Sequence, residues 1–424
     1  MTNLANILTE SARRHPNRPA IRLNDILITY AELDELTARA AGWLRARGIE
    51  PGDRVAIALP NVVPFPVFYY AALRAGATVV PMNPLLKSRE IEHHLGDSGA
   101  KLALVWSTVA AEAKSAAAAT GTDVVVIDDD TLAAAADWPS SPAVAARDDA
   151  DTAVILYTSG TTGSPKGAQL THANLYRNAI AFTGLFDLCH NDVVLGCLPL
   201  FHAFGQSNAL NASIAVGASV SLVPRFEPTA VLQLIERHRV TVFEGVPTMY
   251  VTLLHTDADG VDTSSLRMCV SGGAALPVEV LKGFQETFGA PILEGYGLSE
   301  TSPTAAYNRP GRTKAGSIGL PLDGVEMKLV NPDGTETPPG EAGEIVIRGH
   351  NVMKGYWKRP DATEAAITDG WFHTGDMATR DDDGFYFIVD RMKDMIIRGD
   401  AFEDSHPVTF DELQYRRGFE SRNQ

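Results

Sequence analysis

What most constrains the fold of this chain is a repeated alternation between short β-branched runs and helical stretches. Val55-Ala-Ile-Ala-Leu59, Thr78-Val-Val-Pro81 and Leu102-Ala-Leu-Val105 are apolar runs of strand length, with helical periodicity over 67–74 and 88–95 between them. Parallel strands need a crossover between them, and a helix supplies it. Such a pattern therefore builds a mostly parallel sheet covered on both faces. The alternation resumes with strands over 193–198, 219–223, 240–243, 268–271 and 291–294 and helices over 229–237 and 278–287. The expectation is an α/β protein with two sheet subdomains, about 1–180 and 181–320. After Gly319 the character changes. Strands over 325–330, 343–348 and 385–389 are separated by turn signals such as Asp333-Gly334 and Asp383-Gly384, which predicts a small β-rich, barrel-like subdomain over 321–390.

The amino-terminal stretch reads as an amphipathic helix over 4–14, stopped by Pro16, then two short strands over 20–23 and 26–28. Thr29-Tyr-Ala-Glu32 is a capping box that opens a helix ended by Gly48. From 110 to 151 the chain is alanine-rich and carries no functional signal beyond one strand over 124–127. Residues 193–224 lack any formal charge, but Pro199, His202, Gln206, Asn208 and Asn211 interrupt them. Buried strand–helix–strand is the reading there, and no integral membrane segment is expected. No basic amino-terminal region precedes an apolar core, so no secretory signal is expected. A net charge of −16 over 424 residues argues against a nucleic-acid partner and a polybasic membrane anchor. Cys189, Cys197 and Cys269 have no metal-ligand spacing and read as buried thiols of a reducing, cytoplasmic compartment.

The chemistry concentrates in Tyr157-Thr-Ser-Gly-Thr-Thr-Gly-Ser-Pro-Lys-Gly167, between the buried strand Thr152-Ala-Val-Ile-Leu156 and a helix that Thr171 would cap. Six hydroxyls, three glycines and one lysine fall within this stretch. Glycines allow close backbone approach, hydroxyls donate hydrogen bonds and Lys166 adds a point charge, which is what a polyphosphate clamp requires. It is not a Walker A loop, because Pro165 precedes Lys166 and Gly167 follows it. A flexible linker is the plain alternative, but linkers rarely follow a buried strand with this composition.

Other stretches carry weaker signals. Glu294-Gly-Tyr-Gly-Leu-Ser-Glu-Thr301 offers a stacking face in Tyr296, a donor in Ser299 and a hard oxygen ligand in Glu300. Ser271-Gly-Gly-Ala-Ala-Leu-Pro277 is a βα turn whose backbone could face a flat base, and it lacks the dinucleotide fingerprint. Pro199-Leu-Phe-His-Ala-Phe-Gly205 sets His202 among aromatics, where a packed core histidine is the commoner outcome. Trp371-Phe-His-Thr-Gly-Asp376 ends in an acid able to accept from both ribose hydroxyls, and Asp390-Arg-Met-Lys-Asp394 could be only a charged turn.

Together these stretches resemble the adenylate-forming superfamily, in particular acyl-CoA synthetases of the long-chain-fatty-acid–CoA ligase type. The resemblance runs from the first helix to about Gly399. It also includes Gly316-Ser-Ile-Gly-Leu-Pro321 and Met353-Lys-Gly-Tyr-Trp357 as framework without assigned chemistry. It implies ATP and CoA as co-substrates, Mg²⁺ held by Glu300, and catalytic work by Thr158, Lys166, His202, Ser299 and Glu300. Nucleotide binding is implied for Thr158, Ser159, Gly160, Thr161, Thr162, Gly163 and Lys166 at the phosphates. It is likewise implied for Gly272, Gly273 and Ala274 at adenine, for Glu294, Gly295, Tyr296, Gly297 and Ser299, and for Asp376 and Arg391 at the ribose. Lys393 falls where the superfamily has its hinge. Medium- or long-chain fatty acid is the first expected substrate and an aryl acid such as a cinnamate the second. Residues 243–250 are expected to border the acyl pocket.

After Ile396-Ile-Arg-Gly399 the superfamily continues into an α/β lid, whereas this sequence reads Asp400-Ala-Phe-Glu-Asp-Ser-His-Pro and ends at Gln424. The expectation is therefore a large amino-terminal domain over 1–390, a hinge remnant and unrecognised tail over 391–424, and impaired turnover. A non-catalytic nucleotide- or acyl-binding remnant is the alternative.

Overall fold

A computed structural model describes residues 3–158, 164–338, 340–391, 397–398 and 401–402, with side chains described as far as Val389. The α/β class follows the alternation. A seven-stranded sheet runs Gly355–Tyr356, Lys166–Thr171, Thr152–Thr158, Thr78–Pro81, Arg54–Ala58, Leu102–Trp106, Asp123–Ile127. Its last five strands are parallel throughout. A nine-stranded sheet contains the parallel run Ile292–Gly297, Met268–Ser271, Val242–Gly245, Val193–Gly196, Ser219–Leu222. Antiparallel Val325–Val330, Gly343–Gly349 and Trp371–Arg380, flanked by Ile367–Thr368 and Tyr386–Arg391, form the β-rich unit.

Local chemistry sets the element ends. The box at Thr29 and Glu32 opens the helix Tyr30–Ala46, and Thr171 with Asn174 opens His172–Leu185 in the same way. The helix Pro64–Ala75 is apolar nearly all round and buried along its whole length. Its Tyr69 and Tyr70 hydroxyls meet the Asn211 amide of the buried π-helix Gly205–Ala212, which ties the two sheet layers together. The uncharged stretch over 193–224 is strand, π- and α-helix, then strand. Among the described residues no helix is long and apolar enough to cross a membrane.

Three features depart from the sequence reading. Lys166–Thr171 is a strand, antiparallel to Thr152–Thr158, where the sequence predicts a loop leading directly to a helix. The run Lys166-Gly-Ala-Gln carries no β-branched signal, so propensity conceals it. Gly167 is required there because a Cβ would lie 2.6 Å from Ile155 Cγ2. The hairpin of Pro19–Leu23 and Ile26–Thr29 pairs with Ser219–Leu222, so it lies in the second sheet although it precedes the first in sequence. Cys189 is exposed, and only Cys197 and Cys269 are buried.

Candidate functional site

The strand Ile292–Gly297 and the turn Ser299–Thr301 carry most of the site. Gly295 is forced by packing, since a Cβ would lie 1.8 Å from the Tyr307 ring. Gly297 is forced likewise, with Pro303 O at 1.8 Å from the same imagined atom. These close approaches shape a cavity of about 180 Å³ walled by Phe204 and Tyr307. Seven expected site residues line it: His202, Gly272, Gly273, Gly295, Tyr296, Gly297 and Ser299. Ala274 is exposed and does not line it.

Glu300 lies behind Ser299 and is 8% exposed. Its Oε1 accepts from Thr158 Oγ1 at 3.3 Å and from Tyr356 OH at 2.9 Å. Its backbone carbonyl accepts from Met353 N at 2.8 Å, which pins the turn to the framework stretch. Lys166 Nζ lies 4.7 Å from the centre of the Tyr356 ring. Tyr356 thus holds the carboxylate by its hydroxyl and faces the lysine with its ring. Burial and the Glu300 charge push the Tyr356 phenol well above its ordinary range, so it remains a donor.

Asp376 is buried and accepts from Tyr296 OH at 2.6 Å. Arg391 is paired to Asp376 through the sheet register. Glu294 does not line the cavity. Its Oε2 accepts from Leu276 N at 2.9 Å, steadying the turn that presents Gly272 and Gly273. Burial raises its carboxyl to about 7, an effect the Leu276 N–H partly offsets. His202 is exposed at the cavity mouth, although desolvation by the surrounding protein still lowers its pKa. Ser159, Gly160, Thr161, Thr162, Gly163 and Lys393 lie outside the described residues.

Both ends of the glycine-rich segment are anchored on the helix Ser88–Ser98. Tyr157 OH donates to Asp97 Oδ2 at 2.6 Å, and the His93 ring nitrogen meets Pro165 O at 2.9 Å. Sequence reasoning does not single out Tyr356, Asp97 or His93 as site supports. For Tyr356 the one available signal is the framework stretch that contains it. The sequence reading also sets Phe243 at the acyl pocket. It packs instead with Tyr250 and Phe284 on the other face of its strand.

The donor set suits a substrate-borne Mg²⁺. Among the described residues there is no cluster of three or more His, Cys, Asp or Glu side chains able to hold a metal alone. Glu300 offers one carboxylate, and one carboxylate with phosphate oxygens and water is an ordinary Mg²⁺ shell.

A buried carboxylate, a lysine and a glycine-lined cavity at the carboxyl ends of parallel strands define a nucleotide-dependent enzyme of the α/β class. The chain belongs to the AMP-binding enzyme family, which it matches over residues 8–357. It is similar to a feruloyl-CoA synthase of Amycolatopsis sp, 40% identical over 391 residues that cover 92% of this chain and 78% of that protein. It is also similar to a long-chain-fatty-acid–CoA ligase of Bacillus subtilis, 35% identical over 435 residues, covering 93% and 78%. Among solved structures, the anthranilate CoA ligase AuaEII in complex with anthranoyl-AMP superposes with a TM-score of 0.90 at 28% identity, covering 94% of this chain and 80% of that one. Ligases of this family activate carboxylic acids by adenylation and join them to CoA, using ATP, Mg²⁺ and CoA.

Proposed function

We propose that this site joins a carboxylic acid with an apolar body to AMP. A carboxylate oxygen attacks the α-phosphorus of ATP and pyrophosphate leaves. In the second step a CoA thiolate attacks the acyl carbonyl and AMP leaves. Lys166, Thr158 and residues 159–163 take the β- and γ-phosphates, and Ser299 donates to the α-phosphate. Gly272 and Gly273 face adenine, Tyr296 stacks on it, and Asp376 with Arg391 takes the ribose. His202 borders the reacting carboxylate. Bound Mg²⁺, held through Glu300, would neutralise phosphate charge. Catalysis of this kind is positioning and charge neutralisation rather than covalent chemistry by the protein.

The observation that carries this reading is the hydrogen bond from Thr158, at the start of the glycine-rich segment, to Glu300. It joins the two strongest sequence signals across 142 residues. Acid-dependent exchange of pyrophosphate into ATP tests it. Exchange that requires both an acid and Mg²⁺ is expected, and ATP binding without exchange would favour the non-catalytic reading. Among acids, aryl acids are placed ahead of fatty acids, because the 40% relative is a feruloyl-CoA synthase. Fatty acids remain the second reading, supported by the Bacillus subtilis ligase. Use of ATP and CoA suits a cytoplasmic location.

A further inference from the structure

Three strands at one end of the seven-stranded sheet, Gly355–Tyr356, Lys166–Thr171 and Thr152–Thr158, send alternate side chains to opposite faces. The register pairs Thr158 with Lys166, Tyr157 with Gly167, and Tyr356 with Ala168. Thr158, Lys166, Ala168 and Tyr356 therefore share one face, where Thr158 and Tyr356 donate to Glu300. Tyr157, Gly167 and Trp357, the residue after Tyr356, fall on the other. There Asp97, near the carboxyl end of the helix Ser88–Ser98, collects the contacts. Its Oδ2 accepts from Tyr157 OH at 2.6 Å, and its backbone carbonyl accepts from Trp357 Nε1 at 3.1 Å and Lys358 Nζ at 2.6 Å. Each donor to Glu300 thus has a chain neighbour held by Asp97 through the sheet.

Packing fixes Tyr157 in this place. Its ring lies across Gly167, where a Cβ would stand 3.3 Å from Tyr157 Cζ, and it stacks on His94 with ring centroids 4.3 Å apart. Burial, and then the Asp97 contact, hold its phenol above the ordinary range, so it stays a donor. Trp357 N donates to Gly167 O at 2.7 Å, which joins the Tyr356 segment to the middle strand. A planar peptide links Tyr157 to Thr158, so a displacement that frees one from Asp97 also moves the other relative to Glu300. The Thr158 bond to Glu300, at 3.3 Å, is longer than the Tyr356 bond at 2.9 Å, and it is the one such a shift breaks first.

We propose that Asp97 is a positioning residue for the metal–phosphate site, which holds Tyr157 on the far face of the sheet and thereby keeps Thr158 within reach of Glu300. This rests on the reading that Thr158 and Glu300 serve the phosphates and Mg²⁺, and the test separates the two. Calorimetry titrates the 424-residue chain with Mg²⁺–ATP and, as reference, with AMP. Tyr157→Phe keeps the ring stack and removes the bond to Asp97. It should weaken Mg²⁺–ATP binding about 2–10-fold, the worth of one hydrogen bond, and leave AMP binding unchanged. Asp97→Ala should lose as much, and Asp97→Ala combined with Tyr157→Phe should lose no more than either alone. Asp97→Asn, which still accepts, should keep most of the parent's affinity. In a Tyr356→Phe background Glu300 depends on Thr158, so Tyr157→Phe should cost at least about twofold more there than in the parent, the coupling of residues in one network. A merely structural role weakens AMP and Mg²⁺–ATP alike. Equal losses for the two ligands, or additive losses for Tyr157→Phe and Tyr356→Phe, overturn the proposal. Absence of acid-dependent pyrophosphate exchange in a parent that binds Mg²⁺–ATP overturns acid activation alone, whereas a parent that binds AMP but not Mg²⁺–ATP overturns both.

Discussion

Replacing Tyr356 by phenylalanine tests the site's central contact. Its hydroxyl donates to Glu300 Oε1 at 2.9 Å, while its ring lies 4.7 Å from Lys166 Nζ. Phenylalanine removes the first contact and keeps the second. A hydrogen bond to a charged group contributes about 1.5–3 kcal/mol, or about 10–150-fold in rate if all of it is felt at the metal carboxylate. Thr158 still donates to the same oxygen at 3.3 Å, so the lower part of that range is expected. The assay is acid-dependent pyrophosphate exchange at limiting and saturating Mg²⁺. Tyr356→Phe should lower kcat/KM about 10–30-fold, most strongly at limiting Mg²⁺, with the melting temperature little changed. Tyr356→Leu should lose a further few-fold, because a cation–π contact at such a site is worth about 0.5–1 kcal/mol. Exchange by Tyr356→Phe within about twofold of the unsubstituted chain at limiting Mg²⁺, well short of the loss one charged hydrogen bond entails, would refute the claim that this hydroxyl positions Glu300.

Lys166→Met should reduce exchange by about 10²–10³-fold, the usual cost of one charge-stabilising group, with a circular-dichroism spectrum unchanged from the parent. Gly295→Ala puts a methyl 1.8 Å from the Tyr307 ring, which lines the cavity, so ring or strand must shift. Urea unfolding should show a loss of about 1–3 kcal/mol, and calorimetry weaker AMP binding. Glu294 holds its proton to about pH 7 in the fold against an ordinary 4.5. Its contribution is therefore complete below pH 4.5 and lost as pH rises to about 7. Linkage over that interval is on the order of 3 kcal/mol. Thermal melts from about pH 5 to 8, the span that brackets this titration, should show the parent losing stability relative to Glu294→Gln. Parallel curves would show that Glu294 is not buried as a neutral acid.

Legibility from sequence follows the physics of each element. The buried parallel strands are readable because period and β-branching coincide in runs such as Thr78-Val-Val-Pro81, and Thr29 and Thr171 announce their helices through caps. Lys166–Thr171 is not readable, since its strand character comes from its partner Thr152–Thr158 rather than from its own residues. The hairpin's place in the second sheet depends on its pairing with the distant strand Ser219–Leu222, which no local pattern encodes. At the site, residues in dense motifs are legible and their supports are not. Tyr356 and Asp97 act through contacts with Glu300 and Tyr157 that only the folded chain creates.

The chain's charge sharpens the role of Glu300. A protein of net charge −16 exerts no general attraction on ATP, so binding depends on local donors. Yet the site sets a carboxylate beside the segment expected to hold the phosphates, with Thr158 and Tyr356 both donating to it. A largely buried carboxylate facing a triphosphate is repulsive unless a cation lies between them. If the proposed site holds, nucleotide affinity should therefore be conditional on the metal. Calorimetry should show Glu300→Gln binding metal-free ATP more tightly than the parent does and gaining less from added Mg²⁺. An equal gain from Mg²⁺ in both proteins would remove Glu300 from the metal's shell. On the proposed role of Glu300, the acid that costs binding energy toward bare ATP would become an attachment point once Mg²⁺ accompanies the nucleotide, selecting the metal complex over free ATP.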